Sequence, residues 1–125
     1  MYENDIAQHI VSAAFKLHLN LGPGLLESVY ETILAHELLG RGLSVERQKR
    51  IPITYEGLNF DEGFRADLIV NNRVIVELKS VEKIAPVHKK QLLTYLRLAD
   101  CKLGLLINFG APTMKEGISR VVNGL

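Results

Sequence analysis

Two short apolar segments that carry charges at fixed positions do most to limit what this 125-residue chain can fold into. The segments FRADLIV, residues 64–70, and VIVELK, residues 74–79, are separated by a short polar stretch that begins Asn71-Asn72. Both are rich in residues that favour strands, and asparagine tolerates the left-handed backbone of a tight turn. The sequence therefore predicts a β-hairpin near the middle of the chain.

The pairing of these two strands follows from which side chains can be buried together. A two-residue turn would set Asp67 opposite Val76, and each face would then mix charged with apolar side chains. One more residue in the turn pairs Asp67 with Glu77 and Arg65 with Lys79. A shift of one residue exchanges the faces of a strand, so burial of one face selects this second register. Its apolar face would consist of Ala66, Leu68, Val70, Val74, Val76 and Leu78.

This register brings two carboxylates together in the middle of the predicted sheet. Directly opposed residues have Cβ atoms about 4.5–5.5 Å apart, and like charges at such positions destabilise a sheet. Lys79, two residues from Glu77 on the same face, would compensate in part, and a divalent cation between the carboxylates would compensate better. From these residues alone, a salt-bridged, solvent-exposed face and a functional site are equally open interpretations.

The N-terminal third of the chain predicts two helices. Apolar residues recur at helical spacing from Ile6 to Leu17, with Asn4 or Asp5 as the N-cap. A cluster of glycine and proline at residues 20–24 interrupts this pattern, and a second helix follows over about residues 25–40.

The rest of the chain predicts strands and one more helix. Residues 43–55 predict one or two strands around Pro52, and Glu56-Gly57 and Glu62-Gly63 predict turns. Pro86 can begin a helix that runs to about Leu98. Further strands are predicted over residues 103–109 and 118–122. The order α-α-β-β-β-β-α-β and the length predict one α/β domain, residues 1–125, with a central mixed sheet flanked by helices.

Composition excludes several classes of protein. The 15 Lys and Arg against 14 Asp and Glu argue against a general electrostatic coat for nucleic acid, but leave room for a local basic surface. A single cysteine, Cys101, excludes an internal disulfide framework and predicts a cytoplasmic protein. No apolar run approaches the roughly 18–20 residues that span a bilayer, so we expect no membrane partner.

The charged residues of the hairpin resemble a known signature. Asp67, followed ten residues later by Glu77-Leu78-Lys79, resembles the motif of the PD-(D/E)xK nuclease superfamily. Ala66 stands where that motif has proline, a position that sets backbone shape only, and alanine fits the predicted apolar face.

Three further motifs extend the resemblance over almost the whole chain. Gly24-x-x-Glu27-x-x-Tyr30 resembles the motif that names the GxxExxY family, a branch assigned to this superfamily. His88-x-x-Gln91-x-x-x-Tyr95 is similar to the QxxxY motif of exonuclease-like members. The segment GLLINF, residues 104–109, also resembles the GxxExxY family.

The resemblance implies a restriction-endonuclease-like fold and Mg²⁺-dependent hydrolysis of phosphodiester bonds, with Mn²⁺ able to substitute. Asp67 and Glu77 are the obvious ligands, because Mg²⁺ prefers carboxylate oxygens together with retained waters. The family pattern adds the carbonyl of Leu78 and, from the second helix, Glu27.

The remaining implied roles concern the water and the substrate. Lys79 would orient the attacking water and stabilise developing negative charge, and Gln91 would contact a phosphate or that water. Candidate contacts to nucleic acid are Arg65, Lys83, Lys89, Lys90 and Tyr95, together with the basic run Arg47, Lys49 and Arg50.

The expected partner is nucleic acid, DNA in the first place. A homodimer would be in keeping with resolvase-type relatives, because cutting two strands favours two sites related by symmetry. Two alternatives stay open: a catalytically silent nuclease-like module that binds nucleic acid or regulates a partner, and a metal-dependent hydrolase of another phosphoester.

Overall fold

The computed structural model describes all 125 residues of the chain. Its elements are α1 (Glu3–Leu21), α2 (Glu27–Gly40), β1 (Val45–Tyr55), β2 (Leu58–Val70), β3 (Val74–Lys79), α3 (Pro86–Ala99), β4 (Leu103–Asn108), α4 (Met114–Gly117) and β5 (Ile118–Val122). The predicted α/β class is confirmed. Pro52 does not divide β1, so three strands, and not four, precede α3.

The five strands form one mixed sheet in the order β1-β2-β3-β4-β5. Neighbouring strands are antiparallel except for β3 and β4, which are parallel and connected through α3. The carboxyl ends of β3 and β4 therefore lie side by side, where the chain leaves the sheet after Lys79 and after Asn108.

The predicted register of the β2–β3 hairpin is confirmed. Val70 pairs with Val74, Ile69 with Ile75 and Leu68 with Val76, so Asp67 and Glu77 are the next residues of the two strands. The regular pairing ends there, and the predicted pair Arg65–Lys79 does not form. The turn has three residues, and both Asn71 and Asn72 are left-handed, with φ of 51° and 56°. Asparagine adopts this backbone more readily than most residues.

The predicted apolar face of this hairpin is correct except at Ala66. Leu68 packs in the larger apolar cluster, whereas Ala66 packs in the smaller one on the other side of the sheet. The strict alternation of faces is interrupted between them, because β1 and β2 form no pair between Arg47–Leu68 and Lys49–Ala66. Gln48, the residue of β1 at this gap, has a φ of 49°.

The β1–β2 hairpin is longer than the sequence predicts. Glu56 and Gly57, with φ of 48° and 80°, form its two-residue turn as predicted. The turn predicted at Glu62-Gly63 is wrong, because both residues continue β2. Gly63 lies directly against Ile53, where an added Cβ would come within 2.6 Å of the isoleucine side chain. That glycine permits close packing of two strands.

The helices cover the two faces of the sheet unequally. Helices α1, α2 and α4 pack over a cluster of 21 buried residues, whereas α3 packs over a cluster of 9. The helical spacing from Ile6 to Leu17 is fully reflected in the buried face of α1. The predicted N-caps are wrong: α1 begins at Glu3, and Asp5 lies in its first turn and accepts a hydrogen bond from the N–H of Tyr2.

None of the four helices is long and apolar enough to cross a membrane.

Candidate functional site

Asp67 and Glu77 lie where β2 and β3 separate. Regular backbone pairing ends at Leu68–Val76. Beyond it, the N–H of Asp67 donates to Oε1 of Glu77 at 3.2 Å, and the N–H of Leu78 donates to Oδ2 of Asp67 at 2.9 Å. Each carboxylate thus takes the place of a backbone acceptor, and the two strands hold both side chains in the gap between them.

The ionised form of Glu77 is disfavoured beside Asp67. Burial, as the largest cause, together with the negative charge of Asp67 and a hydrogen bond between the two carboxyl groups, raises the pKa of Glu77 to about 9. The positive charge of Lys79 acts in the opposite direction. At neutral pH the pair therefore favours one bound proton, as expected of two carboxylates that share one site.

Lys79 is half-buried two residues beyond Glu77, on the same face of β3. It takes part in none of the seven ion pairs of the chain. Its ammonium group is therefore available to a ligand beside the two carboxylates.

Two side chains fix the carboxyl end of β3 next to this group. Asn108, which is 2% exposed, accepts from the N–H of Val81 and donates to its carbonyl. The hydroxyl of Ser80 donates to the carbonyl of Leu25, in the loop before α2, at 2.7 Å. The strand end is thus fastened both to β4 and to the start of α2.

Tyr30 organises that same loop. Its hydroxyl donates to the carbonyl of Gly22 at 2.6 Å and accepts from the N–H of Leu25, while its ring stacks on Phe109. Gly24 has a φ of 109°, which side chains rarely adopt. The first and last residues of the Gly24-x-x-Glu27-x-x-Tyr30 motif therefore shape the loop that meets the end of β3.

Glu27, the middle residue of that motif, is exposed at the start of α2 and forms no hydrogen bond or ion pair with Asp67, Glu77 or Lys79. The carboxylate of α2 that connects to Asp67 is Glu31, which sequence analysis missed. It is 7% exposed, and one amide nitrogen of Gln48 donates to both Glu31 and Asp67. The spacing of four residues from Glu27 was the available signal, because such residues share one side of a helix.

The three predicted positions on α3 differ in their surroundings. The ring of Tyr95 stacks on Phe64 at a centroid distance of 4.0 Å, and burial and the charges of Glu77 and Asp67 raise the pKa of its phenol. Gln91 is exposed. Nδ1 of His88 accepts from the N–H of Ala85 and so caps the first turn of the helix, a structural role.

The predicted basic contacts fall into two groups. Lys83, Lys89 and Lys90 line a cavity of about 580 Å³ that also reaches Asn108, beside the end of β3, and that includes Glu82 and Glu116. The other four predicted contacts each form an ion pair within the chain. These ion pairs are Arg47–Glu31, Lys49–Glu46, Arg50–Glu62 and Arg65–Glu62.

The residues present fit a hard divalent cation. Asp67 and Glu77 supply oxygen donors, and a cation between them would offset the repulsion that raises the pKa of Glu77. No group of three or more His, Cys, Asp or Glu side chains is arranged to bind a metal ion. This donor set suits Mg²⁺, which is commonly bound through one or two carboxylates with water and substrate phosphate.

Comparison with known proteins identifies the family of this chain. The sequence profile of the PD-(D/E)XK nuclease superfamily matches residues 4–121. No curated protein matches the chain. The crystal structure of SSO0001 is similar to this chain with a TM-score of 0.55 at 23% identity, over 79% of this chain and 51% of SSO0001. The chain thus spans about half the length of SSO0001, and this likeness concerns the fold.

The fold agrees with the restriction-endonuclease-like architecture that the motifs imply, a five-stranded mixed sheet flanked by helices. The profile covers nearly the whole chain, from the first helix to the last strand. The protein belongs to the PD-(D/E)XK nuclease superfamily.

Proposed function

We propose that this protein is a metal-dependent nuclease that hydrolyses phosphodiester bonds in DNA. The observation that carries the proposal is the pair Asp67 and Glu77, each bound by a backbone N–H of the neighbouring strand, with the unpaired Lys79 beside them. Membership of the superfamily supports nuclease-type phosphodiester chemistry.

Asp67 and Glu77 would hold Mg²⁺ or Mn²⁺. The carbonyl of Leu78 is the third donor in this proposal, because the N–H and C=O of one residue in an extended strand point to the same side, and the N–H of Leu78 points to Asp67. A bound divalent cation supplies charge neutralisation at the phosphate and lowers the pKa of a coordinated water. Glu27 would complete the ligand set. It is exposed at the start of α2, two residues after Leu25, whose carbonyl accepts the hydrogen bond from Ser80.

Lys79 would act on the substrate phosphate and the attacking water. Its ammonium group donates hydrogen bonds to the phosphate oxygens, whose negative charge grows as the water attacks phosphorus, and it orients that water. Because it has no ion-pair partner within the chain, no internal contact must break when substrate binds. Asp67 and Glu77, as carboxylates, can accept hydrogen bonds from the same water.

Helix α3 and the loop before it would bind the nucleic-acid backbone. Lys83, Lys89 and Lys90 line one cavity beside the end of β3 and are free of ion pairs, so they are the best-placed phosphate contacts. Gln91 and Tyr95 lie on the same helix, and burial and the charges of the two carboxylates raise the pKa of Tyr95. Arg65 would have to exchange its bond to Glu62, at 2.8 Å, for a phosphate.

We include two finer points in the proposal. The Gly24, Glu27 and Tyr30 motif favours the GxxExxY branch of the superfamily. A homodimer would supply two sites related by symmetry for cutting both strands. Light scattering of the protein alone and with duplex DNA tests the dimer.

The proposal is tested with the wild type, Asp67→Ala, Lys79→Met and the control Asp61→Asn, which removes an exposed carboxylate in the distant part of β2. Titration calorimetry measures Mg²⁺ and Mn²⁺ binding, and cleavage is assayed on linear, single-stranded and branched DNA. We expect Asp67→Ala to lose both metal binding and cleavage. Lys79→Met should still bind metal but cut on the order of 10²–10³-fold more slowly, as when one charge-stabilising donor is lost.

Each contrary outcome identifies a different alternative. Metal binding by the wild type without cleavage of any DNA would point to another phosphoester, which nucleotide substrates would then reveal. Absence of metal binding, even with DNA present, would favour a catalytically silent module. Full activity of Asp67→Ala would exclude the proposed site.

A further inference from the structure

Gln48 of β1 connects the candidate site to helix α2. Its Nε2 donates to Oδ1 of Asp67 at 3.2 Å and also to Oε1 of Glu31. Its place in the basic run, between Arg47 and Lys49, gives no sequence signal for such a contact.

The two carboxylate partners require a side chain that donates two hydrogen bonds, and a glutamine amide does so without adding charge. Ionised Glu31 and Asp67 are acceptors only, whereas the NH₂ group of a glutamine supplies two donors. This also fixes the orientation of the amide, because the opposite orientation would direct its carbonyl oxygen at two carboxylates. A glutamate at this position would add a third negative charge to the same group.

The anchor at the other end of this bridge is rigid. Glu31 is 7% exposed, and its second oxygen, Oε2, accepts from Nε of Arg47 at 3.2 Å. Arg47 also donates to the hydroxyl of Thr32, one residue further along α2. Gln48 therefore connects Asp67 to a buried carboxylate that is already held by Arg47, which Thr32 holds in turn.

The backbone at Gln48 is unusual for a strand. Its φ of 49° lies in the left-handed region, at the gap in pairing between β1 and β2 directly opposite Asp67. An L-residue other than glycine adopts this conformation only at a cost in free energy. Glycine would relieve that cost, but it would supply no side chain to reach Asp67.

We propose that Gln48 is a positioning residue that fixes the carboxylate of Asp67 for metal binding. The inference rests on the proposed function and deepens it. Gln48 holds Oδ1 of Asp67, and the N–H of Leu78 holds Oδ2, so the plane of the carboxylate is set from both sides. Each oxygen keeps a second lone pair for a cation.

The experiment compares the wild type with Gln48→Gly, Gln48→Ala and the control Gln8→Ala, which alters an exposed glutamine of α1. Mn²⁺ affinity is measured by calorimetry, cleavage is followed as a function of Mn²⁺ concentration, and stability is measured by urea unfolding. We expect Gln48→Gly to be at least as stable as the wild type, because it relieves the left-handed residue, yet to bind Mn²⁺ about tenfold more weakly. Cleavage should then need a higher Mn²⁺ concentration and recover at saturation.

The coupling to Asp67 is tested in a second background. Asp67→Asn keeps one oxygen donor for Mn²⁺, unlike Asp67→Ala, but has lost the carboxylate that Gln48 orients. In that background, Gln48→Gly should lower the weakened Mn²⁺ affinity no further. Unchanged Mn²⁺ affinity in Gln48→Gly, with a wild type that binds Mn²⁺, would overturn the positioning role alone. A wild type that binds no Mn²⁺ would overturn the proposed function, and the positioning role with it.

Discussion

At the scale of single residues, Glu77 has the largest consequence for how the metal-free protein responds to pH. Burial and the neighbouring Asp67 raise its pKa from 4.5 to about 9. Between these two pH values the folded protein binds a proton that the unfolded chain has released, so stability falls as pH rises. This contribution is fully present below about pH 4.5 and is lost as pH rises through 9.

Glu77→Gln should remove that dependence. A glutamine keeps an acceptor for the N–H of Asp67 and a donor toward its carboxylate, but it does not titrate. In the presence of EDTA, we expect the variant to gain up to about 4 kcal/mol over the wild type between pH 5 and pH 8, at about 1.4 kcal/mol per pH unit for one full proton. Urea unfolding at several pH values measures it. Asp61→Asn should follow the wild type, and a constant difference between Glu77→Gln and the wild type would contradict the assignment.

At the scale of elements, the turn between β2 and β3 sets the register that brings Asp67 and Glu77 together. Asn72 is exposed with a φ of 56°, and its side chain makes no hydrogen bond, so its role is conformational. Asn72→Ala should therefore cost about 1 kcal/mol, and Asn72→Gly should be neutral or stabilising.

The control for this prediction is the same substitution where the backbone is helical. Asn20→Ala, near the end of α1, should be neutral or stabilising, because alanine is the better helix former. Urea unfolding midpoints of the three variants give the comparison. Equal effects of alanine at positions 20 and 72 would show that the left-handed turn does not limit stability.

The same hairpin shows why some of the fold follows from sequence and some does not. Its register was predictable, because burial of one face and two adjacent asparagines select one pairing. The displacement of Ala66 to the other face of the sheet was not predictable from sequence. It depends on a left-handed Gln48 in the neighbouring strand, and glutamine gives no turn signal. The turn predicted at Gly63 is wrong for a related reason. A glycine that permits close packing and a glycine that forms a turn look alike in sequence.

The candidate site divides in the same way. The spacing of Asp67, Glu77 and Lys79 along two adjacent strands is local information, so their proximity could be predicted. The Glu31–Gln48–Asp67 bridge joins three elements through side chains of ordinary composition, and only the packing of α2 against β1 brings them into contact.

At the scale of the whole molecule, the site lies beneath the thinner of two helical layers. Helix α3 buries only Leu92 and Leu96, whereas α1 buries six residues in the larger cluster. Apolar burial is the main source of local stability, so α3 should open more readily than α1 and the central strands. Such opening would expose Tyr95 and the carboxylates to substrate.

Native-state hydrogen exchange tests this difference. We expect the slowest amides of α3 to exchange at least about tenfold faster than those of α1, which corresponds to an opening free energy lower by about 1.4 kcal/mol. Leu92→Ala should widen the gap, because it empties part of the smaller cluster while leaving the larger one intact. Equal protection of α1 and α3, in the wild type and in Leu92→Ala, would mean that the two layers unfold as one unit. Substrate would then have to enter the site along the strand ends, past Lys83 and Lys89, without movement of α3.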